Sequence, residues 1–221
     1  MAKKFFDLSQ PVYNNCPGWP TYRLTKVDYE ANYTNDLFNA ERLDLNVHTG
    51  THVDAPFHFF PHGKTVDEIP VERWQGDAVL VDLRGKVTER QGILPKDLAE
   101  YDSMIGPETI VLLNTGWGTK RDSWNLEYGH DWPFVTGELA QYLADKGIRG
   151  LGIDALSIGG WYEGTGRPCH ECLLSRDIWA LEELFFPDEL MAYKTCYISA
   201  YPLKLRGFSG SMVRAVAVIE E

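Results

Sequence analysis

The run His48-Thr49-Gly50-Thr51-His52-Val53-Asp54-Ala55-Pro56-Phe57-His58 sets three histidines and a carboxylate within eleven residues. Neutral imidazole and carboxylate suit a borderline divalent cation such as zinc or manganese. No cysteine stands among them, which argues against a sulfur-rich structural zinc knuckle. Four of the six histidines, His48, His52, His58 and His62, fall in this one region. On an extended strand, residues two and four apart share a face, so His48, His52 and Asp54 are expected to project together. Gly50, Thr51 and Val53 favour that non-helical path, and Gly50 leaves room beside the ligands. Pro56 is expected to turn the chain so that His58 faces the same point. A histidine not needed as a ligand, with an ordinary pKa of about 6.5, suits a water-activating base or a proton shuttle. His62, within Phe60-Pro61-His62-Gly63-Lys64, reads as an exposed turn residue.

Working outward, residues 42–47 alternate apolar and polar and read as a strand leading into the histidine run. Short strands are expected at 5–8 and 22–29, around the turn-rich Asn14-Asn15-Cys16-Pro17-Gly18-Trp19-Pro20. Residues 78–82 and 109–113 are apolar runs of buried-strand type, and 94–101 between them reads as helical, with Pro95 in its first turn. Thr136 is a plausible N-cap for a helix over 137–146, with Gly147 as its C-cap, and 150–154 follows as a strand. A second helix is expected over 175–184, then strands at 195–200 and 213–219. Helices and strands in this succession predict an α/β fold, with α+β the alternative. There is no repeat, low-complexity tract or convincing linker, so residues 1–221 are expected to form one domain, with 1–40 as an N-terminal arm.

Size and composition set the boundaries. A chain of 221 residues fits one domain and buries enough surface for a core without disulfides. The net charge of −11 argues against nucleic acid and against an anionic membrane surface. Four cysteines form no dense secreted framework, MAKKFFDLSQ lacks a signal-peptide apolar region, and no apolar run is long enough to span a bilayer. A cytoplasmic location is the expectation.

The run from His48 to His58 resembles the motif H-x-G-T-H-x-D-x-P-x-H of the cyclase family of metal-dependent hydrolases, matching every specified position. Weaker likeness extends through Phe6-Asp7-Leu8-Ser9-Gln10-Pro11, Gly147-Ile148-Arg149, Gly152-Ile153-Asp154 and Arg214-Ala215-Val216. The resemblance implies a layered fold with a mixed sheet flanked by helices, and a homodimer or homotetramer. It implies that His48, His52 and Asp54 bind a first metal and that His58 is catalytic. Family members that cleave N-formyl amides hold a second metal through a further His and a Glu twelve residues later. His170 and Glu182, in Pro168-Cys169-His170 and Ala180-Leu181-Glu182-Glu183-Leu184, have that spacing. The isatin-cleaving members resemble single-manganese enzymes, so one or two ions of zinc or manganese per chain are expected.

Cys169-His170-Glu171-Cys172 is also a C-x-x-C motif. A thioredoxin-type site needs a strand before it and a helix opening at the first cysteine, whereas Gly164-Thr165-Gly166-Arg167-Pro168 reads as loop. The two cysteines are therefore read as packing residues around His170. The formamidase members carry a Trp just before the early Pro-Gly; here Cys16 stands there and Trp19 follows. Trp19 and Trp117 are expected to contact substrate, within an aromatic set that includes Trp124, Tyr128, His130, Trp132, Trp161 and Tyr162. The expected function is hydrolysis of an amide in a small, aromatic substrate, such as N-formylkynurenine or isatin. One metal would activate water, a second would polarise the carbonyl, Asp54 would bridge them, and His58 would transfer the proton. The alternatives are a lyase or cyclase acting through an enolate, and a non-catalytic metal- or ligand-binding module.

Overall fold

Residues 78–81 and 110–113 are buried along their whole length, as strands covered on both faces must be. A computed structural model describes residues 2–122 and 125–221. In chain order its strands are β1 (Lys3–Asp7), β2 (Lys26–Ala31), β3 (Ala40–Asp44), β4 (His52–Asp54), β5 (Gln75–Asp82), β6 (Gly92–Ile93) and β7 (Ile110–Asn114). They continue as β8 (Phe134–Val135), β9 (Gly150–Ile153), β10 (Trp179–Glu182), β11 (Thr195–Ser199), β12 (Gly210–Met212) and β13 (Val216–Glu220). Helices α1 (Tyr33–Asp36), α2 (Gly137–Asp145) and α3 (Arg167–Leu174), with several 3-10 turns, connect them.

One nine-stranded mixed sheet has the order β1-β13-β11-β5-β7-β9-β10-β4-β12. Its centre, β5-β7-β9-β10, is parallel, and antiparallel strands extend it on both sides. Strand alternation sorts the side chains into two cores. Val79, Val81, Val111, Leu113 and Ala180 meet α2 and α3 through Leu139, Leu143 and Leu173. Ala78, Leu80, Ile110, Leu112 and Leu181 turn to the opposite face, which Trp74, Phe186 and Leu190 close. The α/β expectation holds, with α2 and α3 on one face of the sheet.

Thr136 caps α2 as its sequence predicts, accepting from Leu139 N at 3.1 Å, and Gly147 follows at φ +75°. The segment after Leu94 is a 3-10 helix, Pro95–Met104. The helix expected over 175–184 is a correction: the helix is α3, and Trp179–Glu182 is strand β10. Pro168 in the first turn of α3 is the start signal that the loop reading of 164–168 passed over. Between Asp177 and Glu183, at φ +56° and +53°, the short apolar run pairs with β9 and β4, and this pairing overrides its helix propensity. The histidine run is not extended throughout either, since Gly50 stands at φ +68° and strand begins only at His52.

The N-terminal forty residues divide. β1 lies on the main sheet beside β13, while β2 and β3 form a separate hairpin with Tyr29, Leu37 and Phe38 exposed. No helix among the described residues is long and apolar enough to cross a membrane.

Gly150 on β9 stands opposite Trp179 on β10, and a Cβ there would lie 2.6 Å from the buried indole. Gly150→Ala is expected to lower stability by about 1–3 kcal/mol through overpacking. Urea unfolding should read this as a lower midpoint at unchanged slope; an unchanged midpoint would mean that the indole can give way.

Candidate metal centre

The β4–β10 register builds the centre. Glu182 lies directly opposite His52, Leu181 opposite Val53, and Ala180 opposite Asp54. Val53 and Leu181 enter the second core, so alternation turns His52, Asp54 and Glu182 to the other face, toward α3. The buried side of α3 brings in His170, and His48 arrives from the loop before β4. His48 Nδ1 is 2.6 Å from Asp54 Oδ1, and His52 Nε2 is 3.6 Å from the same oxygen and 3.3 Å from Glu182 Oε2. His170 Nε2 lies 3.2 Å from Glu182 Oε1 and 3.7 Å from Asp54 Oδ2. All five expected ligands therefore converge, although they lie on four separate elements.

Two of the imidazoles are fixed in tautomer. His52 Nδ1 is 2.7 Å from Gly50 O, and His170 Nδ1 is 2.7 Å from Gly166 O. A carbonyl only accepts, so each Nδ1 carries a proton and each Nε2 is the nitrogen turned inward, able to ligate a metal once it gives up any proton of its own. His48 is held from outside by Ser209 Oγ, 2.9 Å from its Nε2. Among the described residues, His52 Nε2 and Asp54 Oδ2 are buried atoms without a hydrogen-bond partner. Buried polar atoms rarely remain unpaired unless an ion or water completes them. His52, Asp54 and Glu182 offer donor atoms within 4.8 Å of one another, and so do His48, Asp54 and His58. Asp54 belongs to both groups. The donor set of imidazoles and carboxylates fits a borderline divalent cation.

The electrostatics agree with that fit. Burial works against a charge on His52, but Glu182 and Asp54 outweigh it and hold its pKa at about 9. Burial likewise opposes a charge on His170, and Cys169 and Glu182 outweigh it, so its pKa lies well above the ordinary value. Burial alone would raise Asp54, yet the imidazoles of His58, His48 and His52 draw it well below the carboxylate range. Glu182 falls to about 2 against burial and against Asp54, through His170 and His52. His58 behaves oppositely. Burial takes it down to about 4, His48 and His170 push the same way, and Asp54 only partly offsets them. It ends the 3-10 turn Pro56–His58, with its ring 4.1 Å from that of His48, so it stands neutral beside the ligands.

His48, His58, His170 and Glu182 line a cavity of about 310 Å³. Trp19, Trp161 and Phe59 line its walls; the Trp19 and Trp161 rings lie 5.1 Å apart, and Phe59 stacks on His170 at 4.6 Å. Trp19 is thus at the wall of this cavity. Trp117 is not: its ring is buried in the main core, with Nε1 donating to Tyr128 O at 3.2 Å, and it is no part of the cavity lining. Trp132 donates to Gly159 O at 2.7 Å and supports Trp19 edge-on. Trp124 lies outside the described residues. His62 is exposed. Cys169 is buried beside His170, with Sγ 3.7 Å from Nδ1, and Cys172 is half-buried against Arg176.

Sequence reasoning missed the residues around the ligands. Ser157 Oγ and Ile158 N donate to Glu182 Oε1 at 2.9 and 2.7 Å. Gly210 on β12 faces His48, where a Cβ would come within 2.6 Å of the imidazole. Neither Ser157 nor Gly210 stands in a motif that spacing would flag. Glu183, next to a ligand, could have drawn attention as a second acid in an apolar run.

The profile of the Cyclase family, described as "Putative cyclase", matches residues 6–159. A kynurenine formamidase of Bacillus cereus is 31% identical over 218 residues, with 97% of each chain covered. A solved structure described as a predicted metal-dependent hydrolase from Bacillus stearothermophilus is 32% identical, with TM-score 0.79 and 99% of each chain covered. Isatin hydrolase A from Labrenzia aggregata, at 24% identity, shares the fold with TM-score 0.87, covering 99% of this chain and 94% of its own. With the motif, the convergent ligand set and a profile match across most of its length, this chain belongs to the cyclase family.

Proposed function

We propose that this protein is a metal-dependent hydrolase of the amide C–N bond in a small aromatic substrate, an N-formyl arylamine such as N-formylkynurenine or a cyclic amide such as isatin. The observation that carries it is that two buried atoms without a hydrogen bond, His52 Nε2 and Asp54 Oδ2, lie among acids and imidazoles beside an aromatic-lined cavity that a neutral His58 also lines. The similarity to a kynurenine formamidase favours the formyl amide, which would assign the enzyme to tryptophan breakdown.

His48, His52 and Asp54 would hold one cation, zinc or manganese, with His170 and Glu182 holding a second that shares Asp54. When bound, the metal supplies Lewis acidity, lowering the pKa of water and polarising a carbonyl. The remaining work falls to side chains. Trp19, Trp161 and Phe59 pack against the flat ring of the substrate and keep bulk water from the scissile bond. His58 accepts the proton of the attacking water at an imidazole nitrogen and returns it to the leaving nitrogen, since a neutral imidazole is ready to accept. Ser157 and Ile158 keep Glu182 turned inward while charge shifts above it.

A homodimer or homotetramer in the cytoplasm completes the reading. The exposed apolar side chains of the β2–β3 hairpin support association, because an isolated two-stranded hairpin is marginal in water. The four free thiols suit a reducing compartment. Light scattering of the purified protein checks the association, and a monomer at micromolar concentration would remove it.

The deciding experiment is metal analysis paired with turnover of N-formylkynurenine, isatin and other amides, followed by product mass. Hydrolysis adds one water; a product of unchanged mass or one lacking water would favour the enolate lyase, and metal without turnover a binding module. His48→Ala, His52→Ala and Asp54→Asn are each expected to abolish activity and lower bound metal. His170→Ala is expected to take the content from near two equivalents toward one. His58→Ala should keep its metal and lose roughly 10²–10⁴-fold in kcat; if metal goes instead, His58 is a ligand.

Each ligating nitrogen must give up any proton it carries, and the carboxylates hold that of His52 up to about 9. Cation binding is therefore expected to release protons and to tighten as pH rises toward that value. Calorimetry in buffers of different ionisation enthalpy reads the release, and an affinity independent of pH would contradict it.

A further inference from the structure

Next to the ligand Glu182 stands a second buried acid that the proposed chemistry leaves unused. Glu183 is 0% exposed, and its Oε2 accepts from Arg121 Nε at 2.6 Å and from Tyr128 OH at 3.2 Å. The Arg121 side chain is only 2% exposed, and it also donates to Pro11 O at 2.8 Å and Pro17 O at 3.3 Å. The other carboxylate oxygen, Oε1, accepts from Gly50 N at 3.1 Å. The backbone carbonyl of Glu183 accepts from Thr51 Oγ1 at 2.5 Å, and Thr51 Oγ1 accepts in turn from Gln10 N at 2.8 Å.

Gly50 and Thr51 lie between the ligands His48 and His52. Gly50 takes φ +68°, and its carbonyl is the group that fixes the His52 tautomer. The side chain and the backbone of Glu183 thus grip the two residues that set where both histidines point. Glu183 makes this grip from φ +53°, a left-handed backbone that glycine adopts freely and glutamate rarely does. A buried ion pair in a strained backbone is a poor device for stability alone, because desolvating both charges offsets their attraction. Strain of this kind persists where the surroundings impose it, commonly at functional sites.

We infer that Glu183, anchored by Arg121, is a positioning residue that sets the metal affinity of the centre by holding the Gly50–Thr51 turn. The inference rests on the metal reading above. It extends that reading from the ligands to a buried charged pair behind them, acting through the backbone instead of touching metal or substrate. Outer partners of this kind are typically worth about 10–100-fold in affinity.

The test is titration of the metal-free full chain with zinc and with manganese, against a competing chelator, beside the visible spectrum of the cobalt-substituted protein. Glu183→Gly removes the carboxylate and suits the left-handed backbone; it is expected to bind metal about 10–100-fold more weakly and to change the cobalt spectrum. Glu183→Gln is nearly isosteric and keeps an acceptor for Gly50 N–H, so it should recover part of that loss, and it remains informative if the glycine variant does not fold. Affinities and cobalt spectra equal to the native protein in both variants, whatever the change in Tm, would overturn the inference and leave the pair structural. A native chain that binds no divalent cation would overturn the metal reading itself, an outcome distinguishable from the first.

Discussion

Asp54 and Glu182 must remain carboxylates in a place that water scarcely reaches, at 0% and 4% exposure. An ionised carboxylate in such surroundings is unfavourable by many kcal/mol unless opposing charge or donors meet it. Here the opposition comes from imidazoles, from Ser157 and from the Ile158 amide. His52 and His170 then hold protons that burial alone would strip away. The centre is consistent as a whole only with positive charge between its acids and its histidines, carried either by protons or by a cation. The β4–β10 register enforces this, because a slip of β4 by one residue would send Val53 to the acid face and His52 and Asp54 into the second core.

Holding that register with α3 close above it requires backbones to approach nearer than side chains permit. At Gly159 a Cβ would lie 2.4 Å from Gly166 O, and that carbonyl is the acceptor for His170 Nδ1. At Gly210 the imidazole of His48 fills the space a side chain would take. The candidate ligands from four elements can therefore share one small volume without displacing one another, and each of their imidazoles still finds an outer partner. Neighbours that orient ligands in this way shape affinity as well as geometry.

How much of this was legible follows from how local each signal is. The ligand run could be read because residue type and spacing lie within eleven consecutive positions. His170 and Glu182 came from resemblance, since nothing in the sequence itself says that a helix and a strand will face each other across Asp54. The helix expected over 175–184 failed because strand pairing with β9 and β4 decided the outcome. Trp117 was misplaced because its composition signals an aromatic without saying on which side of the sheet it packs. Glu183 and Arg121 were illegible for the same reason. They are 62 residues apart, and only the fold makes them a pair.

The segment after β9 links the two halves of the site. Asp154 begins it, buried and receiving Thr115 N and Oγ1 at 2.9 and 2.6 Å. Ser157 and Ile158 then support Glu182, while Leu156, Gly160 and Trp161 line the cavity. Gly166 ends the segment by orienting His170. Loops at the carboxyl ends of parallel strands commonly carry function while the strands stay fixed. In this chain one such loop shapes the aromatic pocket and orients two of the proposed metal ligands. A change made there would also be felt at Glu182 and His170, so the aromatic pocket and the candidate metal centre are tied through one loop.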